Sequence, residues 1–249
     1  MKTLFWITLP LLALIGLGSC AATQVNQSPK PTQIAGVQRT VDLSHVIRGD
    51  VPYPAGETPA QIQRDPQSNR AQTLTVGLNS HTMLQAVNAP LTATLDLLSP
   101  RDLVLPTVML DLRDAVQDTT DVLITPTAIL AWEQRYGPIP SGAAVLFATG
   151  WDLYWGDAAA YLSYDAQGHS RAPRLDPASV QLLVHERGVA MIGIDAPNQS
   201  VTSSQMPWLL LSNLTNIEQL PPTGTLLVVG ALKVQASHNA PARVIALIP

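Results

Sequence analysis

Short apolar segments separated by prolines and polar turns make up most of the chain from about residue 41 onward. Residues 143–148 and 189–195 are almost continuously apolar, and 108–112 is a shorter run of the same kind. Apolar runs of this length, bounded by turn residues, are typical of buried strands. Residues 72–78 alternate weakly between polar and apolar side chains, which favours one more strand.

Two helices are predicted between these strands. The first begins after the N-cap Thr125 and ends at Gly137, and the second begins after Asp176 and ends at Gly188. A proline follows each N-cap, where its missing N–H costs nothing. The predicted apolar faces consist of Ile129, Leu130 and Trp132 in the first helix and of Val180, Leu183 and Val184 in the second. Strands that alternate with helices in this order predict an α/β domain with crossover connections.

The composition is that of a globular domain. The chain has 249 residues, of which 46% are hydrophobic and 13% charged, enough to bury one sizeable core. The net charge is -4 and no basic cluster is present, so the sequence offers no surface that would follow the phosphates of a nucleic acid.

The first residues have the organisation of a bacterial lipoprotein signal. Residues 1–19 contain Lys2, an apolar stretch over 4–17 and small residues before Cys20, as in a lipobox. Fourteen residues are short for a spanning helix, which needs about 20. Cys20 is the only cysteine, so it is the predicted lipidation site and no intramolecular disulfide can form. An ordinary secretory signal with a chance cysteine is the alternative.

The polar segment 20–38 is predicted to be a tether between the lipid and a folded domain over 39–249. Lipid attachment at Cys20 predicts a location in the bacterial cell envelope, on the periplasmic face or the cell surface, with the membrane as one partner.

Residues 80–92 hold the most informative stretch, Ser-His-Thr-Met-Leu-Gln-Ala-Val-Asn-Ala-Pro-Leu-Thr. Its last seven residues resemble the signature of the putative-cyclase family, to which bacterial kynurenine formamidases (arylformamidases) belong. That signature reads His-x-Gly-Thr-His-x-Asp-x-Pro-x-His, and Pro90 matches its proline.

In that family two His and the Asp bind a pair of divalent metals, zinc or manganese, and the last His acts in acid/base catalysis. A gap-free superposition puts Thr82 and Ala86 at the His ligands, Asn88 at the Asp and Thr92 at the catalytic His. His81 is one residue out of register. The chemistry of this motif is therefore predicted to be missing.

Other segments extend the resemblance over 41–248 in family order, among them 148–152, 193–195 and 240–246. The resemblance implies an α/β fold of the swivelling β/β/α type, with a mixed, barrel-like sheet flanked by helices, and a homodimer. It also places the second metal's His at Met206 and the family's Glu ligand at Glu218. Only Glu218 is kept, so no metal cofactor is predicted, and a structural role for Glu218 is the alternative.

Candidate pocket residues follow from the same resemblance: Tyr53, Thr82, Asn88, Trp151 and Met206. Tyr53 belongs to a proline-rich segment, 51–54, that resembles the segment near the family's substrate pocket. Tryptophans such as Trp151 are equally expected as core residues. His45, in the opening Asp-Leu-Ser-His sequence, is expected to be a hydrogen-bonded structural residue near a strand end.

Three functions remain open at this point. The leading hypothesis is a lipid-anchored pseudoenzyme that keeps a formamidase-like pocket for a small aromatic or amide ligand, or for a partner. The second is an active amide hydrolase of the arylformamidase type with a rearranged site. The third is a purely structural envelope lipoprotein.

Overall fold

The computed structural model describes residues 34–54, 56–116, 121–197 and 207–249. The predicted signal segment, Cys20, most of the tether and Met206 lie outside the described residues. The described strands are β1 (Arg39–Asp42), β2 (Gln61–Arg64), β3 (Ala71–Thr75), β4 (Met83–Val87), β5 (Val104–Asp111), β6 (Leu123–Ile124), β7 (Ala144–Ala148), β8 (Arg174–Leu175), β9 (Met191–Ile194), β10 (Trp208–Ser212), β11 (Thr225–Ala231) and β12 (Asn239–Ile248). The helices are α1 (Arg113–Val116), α2 (Pro126–Tyr136), α3 (Ala158–Leu162) and α4 (Pro177–Gln181).

Seven of the strands close into a mixed barrel-like sheet in the order β12-β11-β5-β7-β9-β10-β4, and β4 pairs again with β12. The pairs β5–β7, β7–β9 and β9–β10 are parallel, whereas the four other pairs around the ring are antiparallel. The α/β, barrel-like fold that the sequence predicted is therefore confirmed.

The long strand β12 closes the ring because one of its edges pairs with two strands in succession. Its first residues, 239–241, pair with β4, and its last residues, 245–248, pair with β1. The other edge pairs with β11 over six residues. The closure therefore pairs β12 with a strand that precedes it by more than 150 residues.

Alternate residues of the barrel strands enter two separate hydrophobic cores. In β7, Val145 and Phe147 pack with residues of α2 and α4 in the layer between sheet and helices. Leu146 belongs to the second cluster, to which all seven barrel strands contribute and which therefore fills the barrel interior. Gly193 faces this interior, where an added Cβ would collide with side-chain methyls of Leu146 and Leu214.

The predicted helices are found with two differences. α2 begins at Pro126 and is followed by Gly137 with φ 95°, as expected, but Leu130 is 43% exposed and is not part of the apolar face. The second helix starts at the Asp176 cap, whose side chain accepts from the N–H of Ala178 at 2.8 Å. It then widens into a π-helical turn, Leu182–Glu186.

The predicted strands at 108–112, 143–148 and 189–195 correspond to β5, β7 and β9. The strand predicted at 72–78 is β3, which pairs only with β2, outside the barrel, and is exposed along its length. Within the described part of the chain, no helix is both long and apolar enough to cross a membrane.

Candidate functional site

A polar pocket of about 230 Å³ lies on the outer face of the barrel, at the carboxyl ends of β9 and β10. Met83 and Gln85 of β4 line it, whereas Leu84, which lies between them, belongs to the barrel interior. The strand alternation therefore decides which residues of β4 a ligand could contact. The carboxamides in the lining are Asn79, Gln85, Asn213 and Asn239.

Asn213, directly after β10, is the most constrained of these amides. It has a left-handed backbone, with φ 53°, which Asn adopts more readily than most residues. Its Nδ2 donates to the carbonyl of His81 at 2.5 Å, and its Oδ1 accepts from the hydroxyl of Tyr161 at 2.9 Å. Its own carbonyl accepts from the hydroxyl of Thr82 at 2.6 Å. These contacts fix the amide in one orientation.

Tyr161 reaches Asn213 from the short helix α3. Asp157 caps this helix by accepting from the N–H groups of Ala159 and Ala160. The side chain of Tyr161 is 1% exposed, and burial raises the pKa of its hydroxyl well above the usual value. Trp151 donates its indole N–H to the carbonyl of Tyr161 at 2.8 Å. Tyr161 is therefore a permanent, neutral hydrogen-bond donor.

Asp195, at the end of β9, holds the loop that follows β7. Its carboxylate accepts from the N–H and the hydroxyl of Thr149, at 2.8 and 2.5 Å, and from the N–H of Gly150 at 2.7 Å. Burial raises the pKa of Asp195 to about 7, the charge of Asp152 adds to this rise, and the three hydrogen bonds oppose it. This carboxyl group is a structural tie between two parallel strands.

The imidazole of His81 is engaged at both nitrogens. Its Nδ1 lies 3.0 Å from the hydroxyl of Ser80, which donates to the carbonyl of Gly77 at 2.8 Å. Its Nε2 lies 3.2 Å from the backbone N of Arg48 and 3.1 Å from the carbonyl oxygen of the same residue, so the protonation of Nε2 decides which of the two it bonds. Burial lowers the pKa of His81 and thereby favours the neutral ring, whereas the contact with the Arg48 carbonyl opposes this shift.

His45 stacks on Trp155, with ring centroids 4.0 Å apart and an interplanar angle of 9°. Burial lowers the pKa of His45 to about 4, with smaller contributions from the nearby His81 and Arg48. The backbone N–H of His45 donates to Thr82, as expected of a structural residue, but its Nε2 is buried without a partner in the described part of the chain.

The family-equivalent positions are spread over two ends of the sheet. Thr82 precedes β4 beside Asn213, whereas Asn88 follows β4 at its other end, beside the start of β10, and is exposed. Ala86 lies opposite Leu209 in this pairing. Glu218 is exposed in a 3₁₀ turn beyond the end of β10. Thr82 and Glu218 therefore lie at one end of β10, whereas Ala86 and Asn88 lie together near its other end.

The remaining predicted positions have varied environments. Thr92 is exposed. Tyr53, between the lining residues Pro52 and Pro54, donates to the carbonyl of Arg48 at 2.8 Å and lies 3.3 Å from Nε2 of His81. Trp151 is 5% exposed and supports Tyr161 from the core, which is the alternative that the sequence left open.

The donor atoms at the pocket do not fit a pair of zinc or manganese ions. In the residues that the structure describes, no three His, Cys, Asp or Glu side chains come together, and the sequence of 198–206 contains none of these residue types. The one carboxylate in the lining, Glu57, accepts from Asn79 at 2.9 Å. Zinc and manganese sites are built from imidazole, thiolate and carboxylate donors.

Sequence reasoning missed Asn213, Asn239 and Tyr161. An Asn directly after a buried strand, at 213, was a visible signal, because that position frequently has a left-handed backbone. Nothing local marked Asn239 or Tyr161, which reach the pocket from β12 and α3.

Comparison with known proteins gives one consistent result. A family model described as putative cyclase matches residues 41–200. The isatin hydrolase of Roseibium aggregatum is 32% identical over 168 residues, which are 62% of this chain and 63% of that protein. The matched region thus spans less than two thirds of this curated relative.

Solved structures support the same fold. The chain is similar to isatin hydrolase A from Ralstonia solanacearum, with a TM-score of 0.77 and 28% identity over 85% of this chain and 92% of that one. Isatin hydrolase A from Labrenzia aggregata, bound to benzyl benzoate, gives a TM-score of 0.76 at 24% identity, over 84% and 93% of the two chains. At that identity the likeness concerns the fold alone.

Proposed function

The chain belongs to the putative cyclase family, and we propose that it binds a small amide or aromatic ligand but does not catalyse the metal-dependent hydrolysis that the family resemblance implies. The observation that supports this most directly is the pocket at the ends of β9 and β10. Its polar lining consists mainly of amides and hydroxyls, with Asn213 held rigid by Tyr161 and His81.

The size of the pocket limits the ligand. Sites for drug-sized molecules typically measure about 300–1,000 Å³. A pocket of about 230 Å³ therefore suits a compact ligand of one or two rings. Isatin, a neutral bicyclic lactam, is the natural probe, and thioisatinate, the anionic product analogue bound to one related isatin hydrolase, is the comparison ligand.

The experiment combines binding and turnover on the full-length chain. Isatin binding is measured by calorimetry, and isatin hydrolysis is followed with and without added zinc or manganese. We expect binding without turnover, and no loss of melting temperature on treatment with a chelator. Turnover that requires metal would instead establish the hydrolase with a rearranged site.

A matched pair of variants localises the binding. Asn213→Ala removes the fixed amide and is expected to weaken isatin binding about tenfold, the value of one well-placed hydrogen bond. Thr92→Ala changes an exposed residue at the position equivalent, by resemblance, to the family's catalytic His, and this variant should bind isatin as tightly as the parent does. If neither isatin nor thioisatinate binds at all, the structural-lipoprotein hypothesis is favoured.

We further propose that the domain is carried on the envelope by a lipid on Cys20. The support is the lipobox-like sequence and the absence of any other cysteine from the chain. Several acyl chains on one residue give stable anchoring, since each buried methylene contributes about 0.8 kcal/mol.

A further inference from the structure

The pocket contains a buried hydrogen-bond acceptor that nothing in the described part of the chain satisfies. Asn239 lines the pocket from β12, and its Oδ1 is buried without a partner. Gln85 lies directly opposite it on β4, on the same face of the sheet. Buried polar groups in proteins are almost always hydrogen-bonded, so this acceptor is a position that an N–H donor from a bound molecule or a water would satisfy.

The charge in the described lining of the pocket is negative. Glu57 is the one charged side chain among the described lining residues, and no Lys or Arg accompanies it. Its Oε1 accepts from Asn79, and its Oε2 lies over Gly77, so the carboxylate is held at the pocket edge. His81 lines the pocket as well, and its burial lowers the pKa of the imidazole and disfavours a positive charge there.

A carboxylate ligand would therefore lose its hydration without meeting a cation, and it would face Glu57. A cationic ligand would meet Glu57 only at the solvated edge, while its charge would lie beside amides in the interior. A neutral amide can donate its N–H to Asn239 and accept from the other carboxamides without these costs.

We propose that the pocket selects uncharged amides over carboxylates, with Asn239 as the acceptor for the ligand's N–H and Glu57 as the group that excludes anions. This proposal rests on the proposed binding function and specifies its ligand class. It also predicts that the pocket would release a carboxylic acid if one formed there.

Benzamide, benzoate and benzamidine test the proposal because they share one shape and differ in charge. Calorimetry on the full-length chain at neutral pH should give benzamide the tightest binding and benzoate a dissociation constant about tenfold or more higher, as expected for a like charge within about 8 Å at an effective dielectric constant of 20–30. Asn239→Ala should weaken benzamide binding about tenfold.

Two carboxylate variants locate the source of the selectivity. Glu57→Gln preserves the shape of the side chain and should lower the ratio of the dissociation constant for benzoate to that for benzamide. Glu186→Gln removes an exposed carboxylate on the helical layer and should leave the ratio unchanged. If benzoate binds as tightly as benzamide, or if benzamidine binds most tightly, the proposed selectivity is wrong but the proposed binding function stands. Absence of binding by all three would overturn the proposed binding function itself.

Discussion

The hydroxyl of Thr82 donates a hydrogen bond to the main-chain carbonyl of Asn213, and the two oxygens are 2.6 Å apart. Thr82 stands where the resemblance places a metal-binding His. The same hydroxyl accepts from the N–H of His45 at 2.9 Å. In this chain Thr82 therefore connects three segments, namely the start of β4, the end of β10 and the loop after β1, and its role there is structural.

Replacement of Thr82 by Val tests this structural role. The variant keeps the shape but leaves the buried carbonyl of Asn213 and the partly buried N–H of His45 without their partner, so the free energy of unfolding should fall by about 1–3 kcal/mol. Urea denaturation of the full-length chain measures it. Thr92→Val, at an exposed position, should stay within about 0.5 kcal/mol of the parent. Equal stability of all three proteins would contradict the assigned role.

Asp195 should make the protein less stable as the pH rises. Its folded pKa, about 7, lies above the usual value of 3.8 for an Asp side chain, so the folded state holds the proton more tightly between these values. Stability from this group is full below about pH 4 and is lost as the pH rises towards about 7. An amide at this position can keep the two backbone hydrogen bonds, so Asp195→Asn should fold.

The measurement is the difference in melting temperature between Asp195→Asn and the parent from pH 4.5 to 8. The melting temperature of Asp195→Asn should increase relative to that of the parent as the pH rises. The comparison cancels the opposite contribution of His45, whose lowered pKa makes the folded state lose stability as the pH falls from about 6.5 towards 4. A difference that does not change with pH would show that Asp195 ionises normally.

Gly193 is expected to tolerate no side chain. A Cβ there would collide with Leu146 and Leu214 in the barrel interior, and overpacking of this kind costs about 1–3 kcal/mol. Gly156 has nothing within 4 Å of an added Cβ and serves as the control. Thermal unfolding should separate Gly193→Ala from Gly156→Ala by several degrees, and the same melting temperature for both would mean that the interior is loosely packed.

Cys20→Ser should release the protein from membranes, because the sequence contains no other cysteine to carry the lipid. Fractionation of cells that express the full-length chain measures the distribution between pellet and soluble fraction. Persistence of the variant in the membrane pellet would show that the chain is held there by some other means.

Local sequence patterns determined the elements well. Proline after an N-cap and glycine at the end fixed both predicted helices, since these residues act through their own backbone geometry. Apolar runs identified β5, β7 and β9, because a strand covered on both faces must be apolar at every position. The family-ordered segments predicted the barrel-like fold. The partner of β3 and the exposure of Leu130 were decided by packing against distant residues.

The candidate site depended on tertiary structure to a far greater degree. The sequence drew attention to residues 80–92, but it could not say which face of β4 meets the pocket, since a shift of one residue exchanges the two faces. Barrel closure turned Met83 and Gln85 outward and brought Asn239 opposite Gln85, across more than 150 residues of chain. The sequence, through the family resemblance, predicted other residue types at the positions of the metal ligands. What took their place was decided by long-range pairing, which a one-dimensional pattern does not record.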